Sequence, residues 1–431
     1  MHRARLGIGA VALAVALTSQ LNAGAHARTV PSVAESATQA QPSQAAPGGV
    51  AARAAAAGRY RPAPGVTFNT PGDYSINNKV LRAIRHTFKR QKIRAMTWNF
   101  NSWTFARALR EAHQRGASVR IIMARSLAKE QGRGGPYRTL KRALARGNKS
   151  RPQQYRSWFR TCSNSCRGSR GAMHTKMYVF SKTGAQPRVV MSSSANLTGS
   201  AAKNQYNDMY TITGRKRPYK RSIKVFNQAA QDRPAPAMVY TSGAIRGWFQ
   251  PRGNRVDLPL RMLNQVRCHG ARGAGINGRT SVRIAQDVIL GDRGIRIARK
   301  IRSLHRHGCN VRLVYSQLGG KIWKILRNVP RNHLVRDRDG DGAYDVYLHM
   351  KAMAISGRYG NSRGARIVYQ GSENWSGLAR ISDEQGLIIK RAGAERKYGR
   401  QINKLFRIHL ASARMRPGVA PVDDPYMNME R

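Results

Sequence analysis

The chain states one folding instruction twice. In "FARALREAHQRGASVRIIM" apolar residues recur at helical spacing up to a glycine, and then the texture becomes that of a strand. "IRIARKIRSLHRHGCNVRLVY" repeats this at a constant offset of 192 residues. Phe105, Leu109, Ala112 and His113 match Ile297, Ile301, Leu304 and His305. Gly116, Val119, Arg120 and Ile121 match Gly308, Val311, Arg312 and Leu313. Each copy is therefore a helix–glycine–strand unit. His113 and His305 sit near helix ends with no acid or ligand pattern around them, which predicts structural roles.

The surroundings repeat as well. "NNKVLRAIRHTF" places Val80, Leu81, Ile84 and Phe88 on a helical stripe, and "IRAMTW" reads as the strand after it; "SVRIAQDVIL" precedes the second unit. Each half then has a strand-like run, "DMYTIT" and "GLIIKR", and closes on helical "YKRSIKVFNQAA" or "YGRQINKLFRIHL". Strands alternating with helices predict a duplicated α/β fold. We place a first lobe at 66–235 and a second at 236–415.

Outside the lobes, residues 1–27 read as an export signal. "MHRAR" is a basic start, "LGIGAVALAVAL" an apolar run too short to span a bilayer, and "AHA" supplies the small residues that cleavage after Ala27 requires. Residues 28–65 read as a flexible leader and 416–431 as a tail, and no later segment has the length and apolarity to span a membrane. Export bears on the four cysteines, because an even set in an oxidising compartment is expected to be bridged. Of three pairings, the compact "CSNSC" favours Cys162–Cys166 with Cys268–Cys309.

Charge limits the partners. Against 20 acidic residues stand 77 Lys plus Arg, a formal balance of +57. Such a field gathers polyanions, whether nucleic acid, an anionic membrane surface or an acidic wall polymer, in a salt-dependent way.

Into this background each half sets one "HxK": "MHTKMYVFSKTG" and "YLHMKAMAISG". Read as strands, these put His174 with Lys176, and His349 with Lys351, on one face. A lysine inside a central strand needs a partner, and a bound anion is one. "SSSANLTGS" and "GSENWSGLA" follow, offering Ser194 with Asn196 and Ser372 with Asn374 as polar donors. Brought together about a two-fold axis, two His, two Lys and two Asn form a cage for a phosphoryl group. One ring attacks phosphorus while the other protonates the leaving oxygen.

These residues resemble the phospholipase D superfamily, whose signature is HxKxxxxD followed by GSxN, once per half. The resemblance covers roughly residues 66–413. It implies a duplicated α/β/α sandwich of two pseudo-twofold-related lobes with one shared active site. It also implies a covalent phosphohistidine and transfer to water or an alcohol with no cofactor required. The resemblance makes His174 the nucleophile and His349 the acid, with Lys176, Asn196, Lys351 and Asn374 as the other catalytic residues. Ser181 and Ser356 stand where the family has aspartate, and Ser193-Ser194 where it has Gly-Ser. Glu384 and Asp208 are the expected carboxylates orienting the rings.

"DRDGDGAYD" spaces Asp337, Asp339, Asp341 and Asp345 like the start of a calcium loop, without the closing glutamate. A structural Ca²⁺ there would brace the loop before His349. The expected activity is that of a secreted, monomeric phosphodiesterase acting on phospholipid. The alternatives are an endonuclease of the same superfamily, stacking bases on Trp98, Trp158 or Phe159, or a weakened polyanion binder. Residues 128–171, with the basic-aromatic "RPQQYRSWFRTCSNSCRG", are the expected substrate-facing elaboration.

Overall fold

The computed structural model describes residues 59–251 and 256–410. The proposed signal, the leader up to residue 58 and the tail 416–431 lie outside the described residues. Two large sheets follow the duplication. In the first lobe the strands are β1 (Gly65–Asn69), β2 (Lys92–Met96), β3 (Ser118–Ala124), β4 (Trp158–Cys162), β5 (Met177–Thr183), β6 (Gln186–Ser193) and β7 (Gln205–Ile212). In the second they are β8 (Met238–Ser242), β9 (Ile245–Phe249), β10 (Ser281–Ile289), β11 (Asn310–Leu318), β12 (Lys351–Tyr359), β13 (Ser362–Gly371) and β14 (Gln385–Ile389).

The spatial orders correspond strand for strand. The first sheet runs β7-β6-β5-β2-β3-β4, and the second β14-β13-β12-β10-β11 and then Arg331–His333. In both, the strands flanking the repeated helix pair in parallel, and the motif strand runs antiparallel beside them. The repeated helices are α1 (Trp103–Gln114) and α2 (Gly291–Arg306), each burying the apolar stripe read from its sequence. Gly116 and Gly308 turn the chain from helix to strand at φ +93° and +83°, where a side chain would be strained. "AMAI" and "MYVF" are buried on both faces, as central strands must be.

The halves interlock. Val346–Leu348, from the second half, adds a parallel strand to β7 of the first sheet, with Val335–Arg336 beside it. Reciprocally, Met173 of the first half bridges in parallel to Asp383 of the second. Gln385 Nε2 donates to the Lys176 and Ser193 carbonyls and to Ser192 Oγ at 3.0–3.2 Å. One buried apolar cluster accordingly runs from Ile76 in the first lobe to Leu405 in the second. Cys162–Cys166 and Cys268–Cys309 are both bonded. Among the described residues no helix is long and apolar enough to cross a membrane.

Two expectations change, the end of the leader and the aromatics offered for stacking. The leader ends before residue 65: Tyr60 is buried, its ring lies 4.3 Å from that of His86, and its carbonyl accepts from Ala185 N. An isolated aromatic in an Ala/Pro/Arg run had found a place to bury. Residues 128–171 are an ordered part of the first lobe with many exposed positions. They contain the helix Pro136–Arg146 and strand β4, and Ser165, Cys166 and Arg167 are buried. Phe159 is core, while Trp158 stacks on Phe226 and faces Arg120 and Arg160.

Candidate active site

Both motif histidines stand just before their strands rather than within them, since β5 begins at Met177 and β12 at Lys351. Each is held by the opposite half. His174 N donates to the Asp383 carbonyl, and its ring Nδ1 lies 2.8 Å from Glu384 Oε1. His349 N donates to the Tyr206 carbonyl, and its Nδ1 lies 2.9 Å from Asn207 Oδ1. The rings and their acceptors are buried. Because an ionised carboxylate and an amide oxygen only accept, each neutral imidazole carries its proton on Nδ1 and keeps its lone pair on Nε2. His174 Nε2 is buried and has no hydrogen-bond partner among the described residues.

The motif serines serve the acceptors, not the anion. Ser194 Oγ donates to Asn207 Oδ1 at 2.8 Å, and Ser372 Oγ donates to the other oxygen of Glu384. Thus Ser194–Asn207–His349 and Ser372–Glu384–His174 are two copies of one relay, with an amide in the first and a carboxylate in the second. Asp208, expected to orient a ring, does not. It follows Asn207 on β7, so its side chain points to the other face and accepts from Tyr398 at 2.7 Å. Burial raises its carboxyl to about 6.

Both lysines are fully buried and each donates to the carbonyl of its own histidine at 2.7 Å. Lys351 also meets Asp287 Oδ2 at 2.7 Å, and that same oxygen lies 3.9 Å from His349 Nε2. Lys176 instead lies 5.6 Å from the ring centroid of Trp98, which packs edge-on to His174. Asn196 Oδ1 accepts from Thr97 Oγ1 and Asn99 N, which leaves its NH₂ to meet an anion. Asn374 is buried, and its Oδ1 has no partner among the described residues.

Burial dominates the electrostatics of the site, and the two lysines come next. Burial pulls His174 well below its ordinary value, and Lys176 and Lys351 push it further down. His349 is lowered in the same way by burial, then by Lys351, Lys176 and His174. Burial also lowers both lysines, partly offset by Glu384 at Lys176 and by Asp287 at Lys351. Glu384 is raised to about 7 by burial, against the pull of Lys176. An entering phosphate would favour the charged form of every cation around it.

Ser181 and Ser356 lie away from this pocket. Five residues along their strands from the lysines, they accept from Lys92 N at 2.8 Å and Gly275 N at 3.1 Å. One pins the start of β2 and the other the loop before β10. In the acidic loop, ligand atoms of Asp337, Asp339 and Asp345 lie within 4.8 Å of one another, and Asp341 is not among them. His113 is buried at its helix end against Ser157 Oγ at 2.8 Å, and burial lowers it to about 4.

Two members of the pocket escaped the sequence reading. Asn207 could be told from Asp208 only by strand parity. Asp287 was visible as a lone carboxylate in the apolar run "SVRIAQDVIL", a signal strong enough to have been used.

The family model described as "Cardiolipin synthase, PLD-like domain" matches residues 80–229. No curated protein sequence matches the chain. Among solved structures, phosphatidylserine synthase from Haemophilus influenzae Rd KW20 is similar at TM-score 0.51 and 12% identity, over 85% of this chain and 89% of that one. Polyphosphate kinase from Porphyromonas gingivalis is similar at TM-score 0.51 and 12% identity, over 82% of this chain. The match spans 53% of that kinase, about half its length. Nuc, a phospholipase D family member from Salmonella typhimurium, aligns at 21% identity and TM-score 0.29, over 39% of this chain and 96% of that one. The likeness in fold covers both lobes.

Proposed function

Because this chain is a member of the phospholipase D superfamily, we propose that it cleaves a phosphodiester through a covalent phosphohistidine, and that the diester is a phospholipid. The observation that carries the reading is the crossed clamp: each imidazole is fixed at Nδ1 by the other half and keeps its lone pair on Nε2. The unequal clamps support His174 as the nucleophile. Its Nε2 lone pair attacks phosphorus, and the cationic ring that results is stabilised by the Glu384 carboxylate. His349, held by a neutral amide and carrying a second proton on Nε2 once the phosphate is bound, gives that proton to the leaving oxygen as the P–O bond breaks. It then takes a proton from water, which attacks phosphorus and breaks the P–N bond. Lys176, Lys351, Asn196 and Asn374 bind the non-bridging oxygens.

Phospholipid is favoured over nucleic acid because the aromatics available for stacking are largely spent: Phe159 is core and Trp158 is covered. Trp103, 51% exposed, instead suits a lipid–water interface, following a strand that pairs with the segment after Asn196. The names of the cardiolipin synthase family and of phosphatidylserine synthase point the same way. In this reading the protein is exported, monomeric and drawn to anionic membranes by charge. The acidic loop before His349 takes calcium as a brace.

The test sets vesicles of phosphatidylcholine or phosphatidylglycerol beside plasmid DNA and RNA, at low and moderate salt. Headgroup release, abolished by His174→Ala and by His349→Ala, is expected. Nicked DNA with intact lipid would make the protein a nuclease. Silence on all three with tight polyanion binding would make it a binder. A phosphoryl label trapped on the wild type and lost in His174→Ala fixes the nucleophile; survival there and loss in His349→Ala reverses the assignment.

A further inference from the structure

The two halves of the pocket are unequal at one pair of positions that strand register makes equivalent. Met96 pairs with Met177, three residues after His174, and Ala285 pairs with Ala352, three residues after His349. Two residues further along the chain stand Trp98, just past the end of β2, and Asp287, within β10. Trp98 offers Lys176 an aromatic face, which leaves the ammonium charge available. Asp287, fully buried, offers Lys351 a whole counter-charge at 2.7 Å. Its Oδ2 also stands 3.9 Å from His349 Nε2, the nitrogen that serves the leaving oxygen in the proposed reaction. The groups it acts on are Lys351 and His349 by contact, with Lys176 and Tyr347 also within its field.

With Glu384 ionised, the two lysines and the two carboxylates sum to zero before any ligand enters. A singly charged diester is then matched by the proton that His349 must carry as the acid. A doubly charged monoester has no second cation to meet, and its extra charge faces Asp287. We propose that Asp287 is a specificity-determining residue that makes the pocket hold monoanionic phosphodiesters and reject dianionic phosphomonoesters, including the monoester that hydrolysis releases. This rests on the phosphodiester reading above.

The test is calorimetric binding of diethyl phosphate and inorganic phosphate, at about pH 8, to the wild type and to Asp287→Asn, which keeps an acceptor for Lys351. We expect the wild type to prefer the diester by about tenfold or more. Asp287→Asn should tighten inorganic phosphate by about tenfold while changing the diester by less than about threefold. Equal phosphate affinity in the two proteins overturns the proposal and leaves the phosphodiester site standing. If neither protein binds either ligand, the phosphodiester reading itself falls, and the proposal with it. Should Asp287→Asn not fold, the wild type decides alone. Its preference for the diester should widen by about tenfold between about pH 6 and pH 8, as inorganic phosphate gains its second charge. A constant preference refutes the assignment.

Discussion

Replacing Glu384 by Gln removes one charge and little else, so its effect can be worked from the site. The carboxylate oxygen lies 2.8 Å from His174 Nδ1, and both groups are buried. When His174 attacks phosphorus the ring becomes cationic, with its charge centred roughly 4 Å from that of the carboxylate. Two unit charges at that distance interact by about 4 kcal/mol at an effective dielectric near 20. Glutamine keeps an acceptor for Nδ1–H and for Ser372 but loses this term. Formation of the phosphohistidine should therefore slow by about a thousandfold. Single-turnover release of p-nitrophenol from bis(p-nitrophenyl) phosphate measures that step. The pH profile adds a second, independent reading. Glu384 must be ionised to help, and burial has raised it to about 7. Because p-nitrophenolate leaves without help from the His349 proton, the wild-type rate should rise with pH up to about 7 and then level, whereas Glu384→Gln should lack that limb. A variant within about threefold of wild type, still showing the limb, would refute the charged role given to Glu384.

The disulfides should separate by readout. Cys268→Ser with Cys309→Ser opens a loop of sequence separation 41 and should cost about 4 kcal/mol by loop entropy, with kcat little changed. Cys162→Ser with Cys166→Ser should cost about 2 kcal/mol but also lower kcat, because Cys166 N donates to Asp383, the neighbour of Glu384. Denaturant melts and turnover on the same samples check both. Ser181→Ala and Ser356→Ala should each cost about 0.5–1.5 kcal/mol and leave kcat within about twofold, since each hydroxyl serves only one backbone N–H away from the histidines. Millimolar calcium should raise the melting temperature by a few degrees, reversibly with chelator, and Asp337→Asn should abolish the shift; an unresponsive wild type removes calcium from the loop.

What could be read from the sequence was what lies close together in it. The helix–glycine–strand units were legible because Gly116 and Gly308 punctuate an unbroken apolar period. The HxK and SxN pairs were legible because each sits within one short run. What was missed depends on contacts between distant residues. Neighbouring Asn207 and Asp208 both bear polar side chains, and only the register of β7 decides which one faces His349. Asp287 and Lys351 are 64 positions apart, and pairing of β10 with β12 joins them. Ser181 and Ser356 drew attention by occupying a signature position, yet the strand carries that position away from the pocket. Tyr60 was hidden by the disorder-like composition around it.

The crossed clamp bears on how unlikeness between the lobes could arise at all. Two identical lobes meeting as separate molecules about a two-fold axis must present every residue twice, so any change at one ring is imposed on the other. One continuous polypeptide is released from that constraint. It can give one imidazole a carboxylate and the other an amide, or one lysine an indole and the other an aspartate, and so divide labour across what began as a mirror-like repetition. Covalent linkage here thus does more than raise local concentration: it permits asymmetry within a centre still assembled from both sides.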